Sequence, residues 1–210
     1  MAGKRTDTIM SDDAFARLGL PRRAWLTAEE IRTAFQQAAA AAHPDASADE
    51  ADRVARTGRF QEINEASALL THPTTRLNHL LSLEYPVFTP DRAAVMDAAL
   101  VALFSTVGSA VQAAAAWTRQ RGTATTFLAK AALAPKEMIV QETLESAGAA
   151  LRAEQEKLDA ALRQFDATLI DNPGHRPPPE TLSALASRAA FLSKWQAQLQ
   201  AAWTSLFSAV

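Results

Sequence analysis

Apolar residues in this chain recur with the period of an α-helix along most of its length. The alternating β-branched runs that mark strands are nearly absent. Leu185, Leu192, Leu199 and Leu206 repeat at heptad spacing, the pattern of a helix packed lengthwise on another. Leu144, Leu151, Leu158, Leu162, Phe165 and Leu169 fall on one stripe of a helix that begins after Pro135. Asp171-Asn172-Pro173-Gly174 ends that helix, and Pro177-Pro178-Pro179 makes a stiff connection to the last one. Two long helices joined so briefly should lie antiparallel. Glycine is scarce, at 7 of 210 residues, so few breaks are available. The expected fold is all-α.

The first half reads as four shorter helices with their own start and stop signals. One covers 12–18, where Ser11 can cap and Asp12 and Asp13 suit the positive end of the dipole. Gly19-Leu20-Pro21 stops it. The second opens with Thr27 and Glu30, a capping box. Its stripe is Ile31, Ala34, Phe35, Ala38, Ala39 and Ala42. Pro44 ends it, because proline disfavours helical geometry in the residue before it. Ser47 and Glu50 form a second capping box for the third helix, whose stripe is Phe60, Ile63, Ser67 and Leu70. Thr71-His72-Pro73 closes that helix, and a fourth covers 73–83.

Tyr85-Pro86-Val87-Phe88-Thr89-Pro90 reads as a linker, since two prolines stiffen it. The expected organisation is a loose tail over 1–10, a first domain over 11–84, the linker over 85–90 and a helical bundle over 91–210. Within the bundle one helix spans 91–119, and Thr123-Ala124-Thr125-Thr126 suggests a turn.

Several functions are disfavoured. The net charge of −2 implies no strongly basic face for nucleic acid. Cysteine is absent, which removes disulfides and thiolate ligands and suits a reducing compartment. The charged start Met1-Ala2-Gly3-Lys4-Arg5 has no apolar run after it, so no signal peptide is read there. Residues 98–118 carry no charge and could span a bilayer by length. Ser105, Thr106, Gly108, Ser109 and Gln112 dilute them, and a buried or amphipathic helix is the reading here. No two of His43, His72, His79 and His175 are spaced for a helical metal site, and no glycine loop for phosphate is present. The chain is read as binding no metal or cofactor and as not being an enzyme.

The connection after the second helix begins His43-Pro44-Asp45. Ile31-Arg32-Thr33-Ala34-Phe35, then Ala39, then this tripeptide resembles the second helix and loop of a J domain. Phe60-Gln61-Glu62-Ile63-Asn64-Glu65-Ala66, then Leu70-Thr71, resembles its third helix. Phe15 to Pro21, Phe35-Gln36, and above all His72-Pro73 with Arg76 and His79-Leu80-Leu81-Ser82-Leu83 resemble the HscB family. Its members are J-domain co-chaperones of iron–sulfur cluster biogenesis. Phe191-Leu192-Ser193-Lys194 and Gln198-Leu199 extend the likeness into the last helix. Residues 91–133 look longer than the family's connection, as though helical material were inserted.

The resemblance implies a cytoplasmic co-chaperone whose loop engages a DnaK/HscA-type ATPase and promotes ATP hydrolysis. It also implies a C-terminal domain that binds an IscU-type scaffold protein. The residues give the tripeptide a physical reading. Pro44 fixes the backbone, and Asp45 projects a carboxylate able to make a charge-assisted bond to a partner arginine. The bond-breaking then occurs on the partner.

The chain departs from the family's pattern in its second helix, which normally carries several basic residues. Here only Arg32 remains, Gln36, Gln37 and 38–42 are uncharged, and Ala46 follows Asp45. Losing that charge weakens steering toward an acidic chaperone surface. The expected binding is weak and mildly salt-sensitive, and the alternative function is a degenerate J-domain interaction protein without ATPase stimulation. Phe191 and Trp195 are neighbours one helical turn apart that lie beside the heptad stripe rather than on it, and Ile139 and Val140 lie early in the preceding helix. These four are candidates for an apolar scaffold-binding patch. The alternative is that they pack inside the bundle.

Overall fold

A computed structural model describes residues 13–43, 49–89, 96–171 and 176–208. Among them lie eight helices and no strand: α1 (Ala14–Arg17), α2 (Ala28–Ala41), α3 (Glu50–Thr71), α4 (Pro73–Glu84), α5 (Ala98–Thr123), α6 (Phe127–Ala131), α7 (Ala134–Asp171) and α8 (Pro179–Ser208). The fold is all-α, as the periodicity requires. Contacts divide the chain into two compact units. The first holds 1–90 and 161–186, the second 91–160 and 187–210. Thus 161–186, which a division at the 85–90 linker assigns to the bundle, belongs with the first unit.

In the first unit, α3 packs against α1, α2 and α4. Asp13 caps α1, its carboxylate accepting from the Phe15 and Ala16 amides at 2.9 and 3.3 Å. Ser11, the expected cap, lies outside the described residues. Gly19 follows with φ +65°, the left-handed conformation that ends a helix without a Cβ clash. The Thr27–Glu30 capping box is present, with Glu30 N–H donating to Thr27 Oγ1 at 3.0 Å and Thr27 N–H to Glu30 at 2.8 Å. The Thr27 bonds, with the nearby Arg23 guanidinium, hold the Glu30 carboxyl below its usual range.

At the start of α3 the cap is Asp49, which accepts from Asp52 N–H at 3.1 Å. The expected partner Ser47 lies outside the described residues, and Glu50 is the first helical residue. Pro73 opens α4 where its missing N–H leaves no helical bond unmade, so one residue, His72, separates α3 from α4. Phe15, Leu70, Leu77 and Leu80 fill the core, with Leu162 and Leu182 from the long helices.

The second unit is built on repeating stripes. Helix α5 buries Leu100, Leu103, Val107, Ala110, Ala114 and Trp117. Helix α8 buries Leu192, Trp195, Leu199, Ala202 and Leu206, and α7 buries Val140, Leu144, Ala147, Leu151 and Leu158. Spacings of three, four and seven place each set along one side of its helix. Helix α5 starts at Ala98 rather than 91, because Asp97 accepts from Leu100 N–H at 2.8 Å and sets the first turn. It is long and apolar enough to cross a membrane by length and composition, and 28% of that stretch is buried. The buried part is the single face just named. The Thr-rich turn falls between α5 and α6, with Thr126 capping α6.

Candidate partner-binding site

Helices α2 and α3 form a hairpin whose connection starts at His43. The ring of His43 is exposed and meets the edge of Phe60, with centroids 6.4 Å apart at 76°. Pro44 and Asp45 lie outside the described residues. Arg56 of α3 ties the hairpin shut. Its Nη1 donates to the Ala41 carbonyl at 3.1 Å, and its Nε lies 2.8 Å from Asp52. A cation at the carbonyl end of α2 also meets the negative end of its dipole.

Arg32 projects from α2 into solvent and pairs with Glu29 at 2.5 Å. It stands roughly three turns from His43 along the helix. Between them Gln36, Gln37, Ala40 and Ala41 are exposed and uncharged. The positive charge beside the loop belongs instead to α3. Arg53 pairs with Glu50 and Arg56 with Asp52, while exposed Arg59 has no acidic partner among the described residues. Sequence reasoning missed these three arginines. Their three-residue spacing, which puts them on one side of a helix, was a legible signal.

The irregular segment 21–27 that leads into α2 is gripped from two sides. Buried Arg76 donates from Nε to the Ala24 carbonyl at 3.1 Å and from Nη1 to the Leu70 carbonyl at 2.7 Å. Asp166 of α7 accepts the Ala24 and Trp25 amides at 2.7 and 2.9 Å. Burial pushes the Asp166 carboxyl above its usual range, against the pull of those amides and of Arg23 and Arg76. Arg163 lies 4.4 Å from the centre of the Trp25 ring, a cation–π contact. At the other end of the segment Arg22 bridges Asp13 at 2.8 Å and Glu84 at 3.1 Å.

His79 Nε2 accepts the Ala14 amide at 3.1 Å, and its ring stacks on Phe15. Arg76 and His79, two residues that carry the HscB resemblance, therefore act here by holding the first unit together. Among the described residues no three metal-ligating side chains gather.

The four candidates for a scaffold patch separate. Trp195 and Val140 are 3% and 7% exposed and belong to the core of the second unit. Trp195 lies on the buried stripe of α8 between Leu192 and Leu199, not beside it, and Phe104 of α5 covers it at 6.1 Å. The packing alternative applies to both. Phe191 is half-buried and stacks on Trp195 at 5.7 Å, while Ile139 is 61% exposed. Ile139 flanks a shallow groove of α5 and α7 over Trp117.

Residues 13–79 match the family model of the DnaJ domain. The chain is similar in structure to the chaperone HscB from Vibrio cholerae, with TM-score 0.56 and 21% identity over 92% of this chain and 99% of that one. It is also similar to the human co-chaperone protein HscB, with TM-score 0.57 and 14% identity over 90% of this chain and 80% of that one. At these identities the likeness is one of fold.

Proposed function

The chain is a J-domain protein with the fold of the HscB co-chaperones, and from that premise we propose that it stimulates a DnaK/HscA-type ATPase and delivers an IscU-type iron–sulfur scaffold to it. The observation that carries this reading is the matched DnaJ segment itself. It contains the α2–α3 hairpin whose connection begins His43-Pro44-Asp45. A carboxylate on a proline-fixed loop suits an arginine of the chaperone. Since that contact acts on the partner's ATP site, this chain is a regulator and not an enzyme. The cysteine-free composition fits work in the cytoplasm.

Asp45→Asn tests the mechanism, because it keeps the shape and removes the charge. A hydrogen bond to a charged group contributes about 1.5–3 kcal/mol, so ATPase stimulation should fall roughly tenfold or more with helicity unchanged. Stimulation equal to wild type would remove the mechanism.

A second reading is a J domain that binds without stimulating. It is favoured by the state of α2, where Arg32, its one cation, already pairs with Glu29. The same assay separates the two, since the second reading gives no acceleration by the wild-type chain.

For the scaffold, Phe191 is the aromatic candidate that keeps exposure. Burying an aromatic ring contributes on the order of 2 kcal/mol, so Phe191→Ala should weaken scaffold binding about tenfold. Unfolding of the second unit in that variant, or binding at wild-type strength, would discard Phe191 as a contact.

A further inference from the structure

A shallow groove opens on the first unit beside the start of the 43–49 connection. Its floor is Ala38, Ala41 and Ala42 of α2 with Ile63 of α3, and its rim is Arg17, Arg59 and Glu62. Alanine methyls leave the α2 backbone closely approachable, so the floor is apolar and flat. The rim is not neutral. Arg17 Nε lies 3.9 Å from Glu62, which balances that pair. Neighbouring Arg56 is engaged by Asp52 and the Ala41 carbonyl. Arg59 is exposed and has no acidic partner among the described residues, so its positive charge is uncompensated at the groove.

An apolar floor beside a free guanidinium is complementary to a segment that carries small apolar side chains and a carboxylate. Arginine suits this role, because its planar fork meets a carboxylate with two parallel bonds. Ala42 of the floor directly precedes His43, so the groove lies beside the start of the connection. We propose that this groove, with Arg59 as its anchor, receives an acidic apolar segment of the ATPase chaperone, so that the charge absent from α2 is supplied by α3. The proposal rests on the chaperone reading above and names the surface that this chain uses for it.

The test measures affinity of the full chain for the ATP-loaded chaperone, together with maximal ATPase stimulation. Arg59→Glu should weaken binding about tenfold and flatten its salt dependence, with maximal stimulation unchanged at saturation. Arg59→Lys, which keeps the charge but not the fork, should weaken binding about threefold. Ala41→Glu, which places a carboxylate on the floor from the other helix, should reproduce the Arg59→Glu loss. Arg119→Glu changes net charge equally at an exposed position of the second unit and should leave affinity unaltered. Helicity and melting of each variant should match the wild type.

If Arg59→Glu behaves like Arg119→Glu, the groove is not the docking site. A concentration-dependent dimer that Arg59→Glu dissociates would make the occupant a second copy of this chain and overturn the proposal. The wild-type chain failing to bind the chaperone removes the chaperone reading and the groove together. Loss of stimulation in Asp45→Asn with no effect at Arg59 removes the groove alone.

Discussion

Two carboxylates on α7 meet burial in opposite ways. Asp166, in the first unit, and Glu154, in the second, are 7% and 8% exposed. Yet Asp166 is held above its usual range and Glu154 below. Depth of burial and the partners both contribute to the difference. Asp166 receives two neutral backbone amides, and these do not outweigh its lost hydration. Glu154 receives Lys157 Nζ at 2.6 Å and the Arg188 guanidinium, and these cations outweigh its burial. Burial is the largest cause at Asp166, which lies deeper among packed atoms, and the Lys157 bond is the largest at Glu154, so depth and donor charge together set the opposite outcomes.

The two sites should therefore respond to pH with opposite slopes. A carboxyl raised on folding contributes most at low pH and loses its contribution as pH climbs through the raised value. A lowered one contributes above its unfolded value and fails as pH falls. Asp166 is the first kind and Glu154 the second.

The largest expected effect is at Arg76, whose two carbonyl partners are buried with it. Arg76→Met leaves the Ala24 and Leu70 carbonyls unsatisfied. Losing charged bonds in a buried site should destabilise the first unit by about 3 kcal/mol. Urea unfolding measures the loss, and hydrogen exchange should rise first at the Ala24 and Trp25 amides. A loss well under 1 kcal/mol would mean that water replaces the guanidinium, and that Asp166 is less dry than its shift implies.

A smaller effect is expected at Arg188, which joins Asp97 at 2.7 Å to Glu154. It is partly exposed, so Arg188→Met should destabilise the second unit by only about 1 kcal/mol. Its sharper consequence is at low pH. With one cation gone, the Glu154 carboxyl rises toward its unfolded value, so the stability lost on acidification should be smaller than in wild type. An unchanged acid profile would show that Lys157 alone holds Glu154 down, which would narrow the comparison to one donor.

What the sequence disclosed divides along similar lines. Helix starts are local chemistry, and Thr27 with Glu30 declared α2 within four residues. Several acids stood near the start of α1 and α3, and there the choice among Ser11, Asp12 and Asp13, or between Ser47 and Asp49, was open to pattern reading. The leucine stripes of α7 and α8 were equally legible. The grip of Asp166 on Ala24 was not, because 142 residues separate them and a lone aspartate on a helical stripe looks like any other. Trp195 looked like a surface candidate because the heptad was counted through Leu185, Leu192 and Leu199. The intervening position is buried because Phe104, distant in sequence, covers it. Of the site, the loop motif is readable, but the three arginines of α3 are interleaved with Glu50 and Asp52 and do not stand out as a basic face.

The smallest effect, and the one that tests the comparison most directly, comes from Asp166→Asn. The amide is nearly isosteric, and its oxygen can keep one of the two backbone bonds. Its NH2 group then faces the other N–H, so one bond is lost, at about 1 kcal/mol. Against that loss, the variant no longer buries a charge. The net change at neutral pH should fall below 1 kcal/mol. The slope should change more clearly. Above the ordinary aspartate value of about 4, and up to the raised value of Asp166, the folded chain holds more of this proton than the unfolded chain. Stability in that window therefore falls as pH rises. The asparagine variant lacks the term, so wild-type stability minus variant stability should decline with rising pH. Glu154→Gln should give a difference that grows with pH. Urea unfolding at several values from pH 4 to 7 measures the Asp166 curve, and the series is carried below pH 4 for Glu154, whose window lies under the ordinary glutamate value of about 4.3. A rising curve for Asp166 would mean that two amides and the nearby Arg23 and Arg76 outweigh burial, and the contrast between neutral and charged donors would fail.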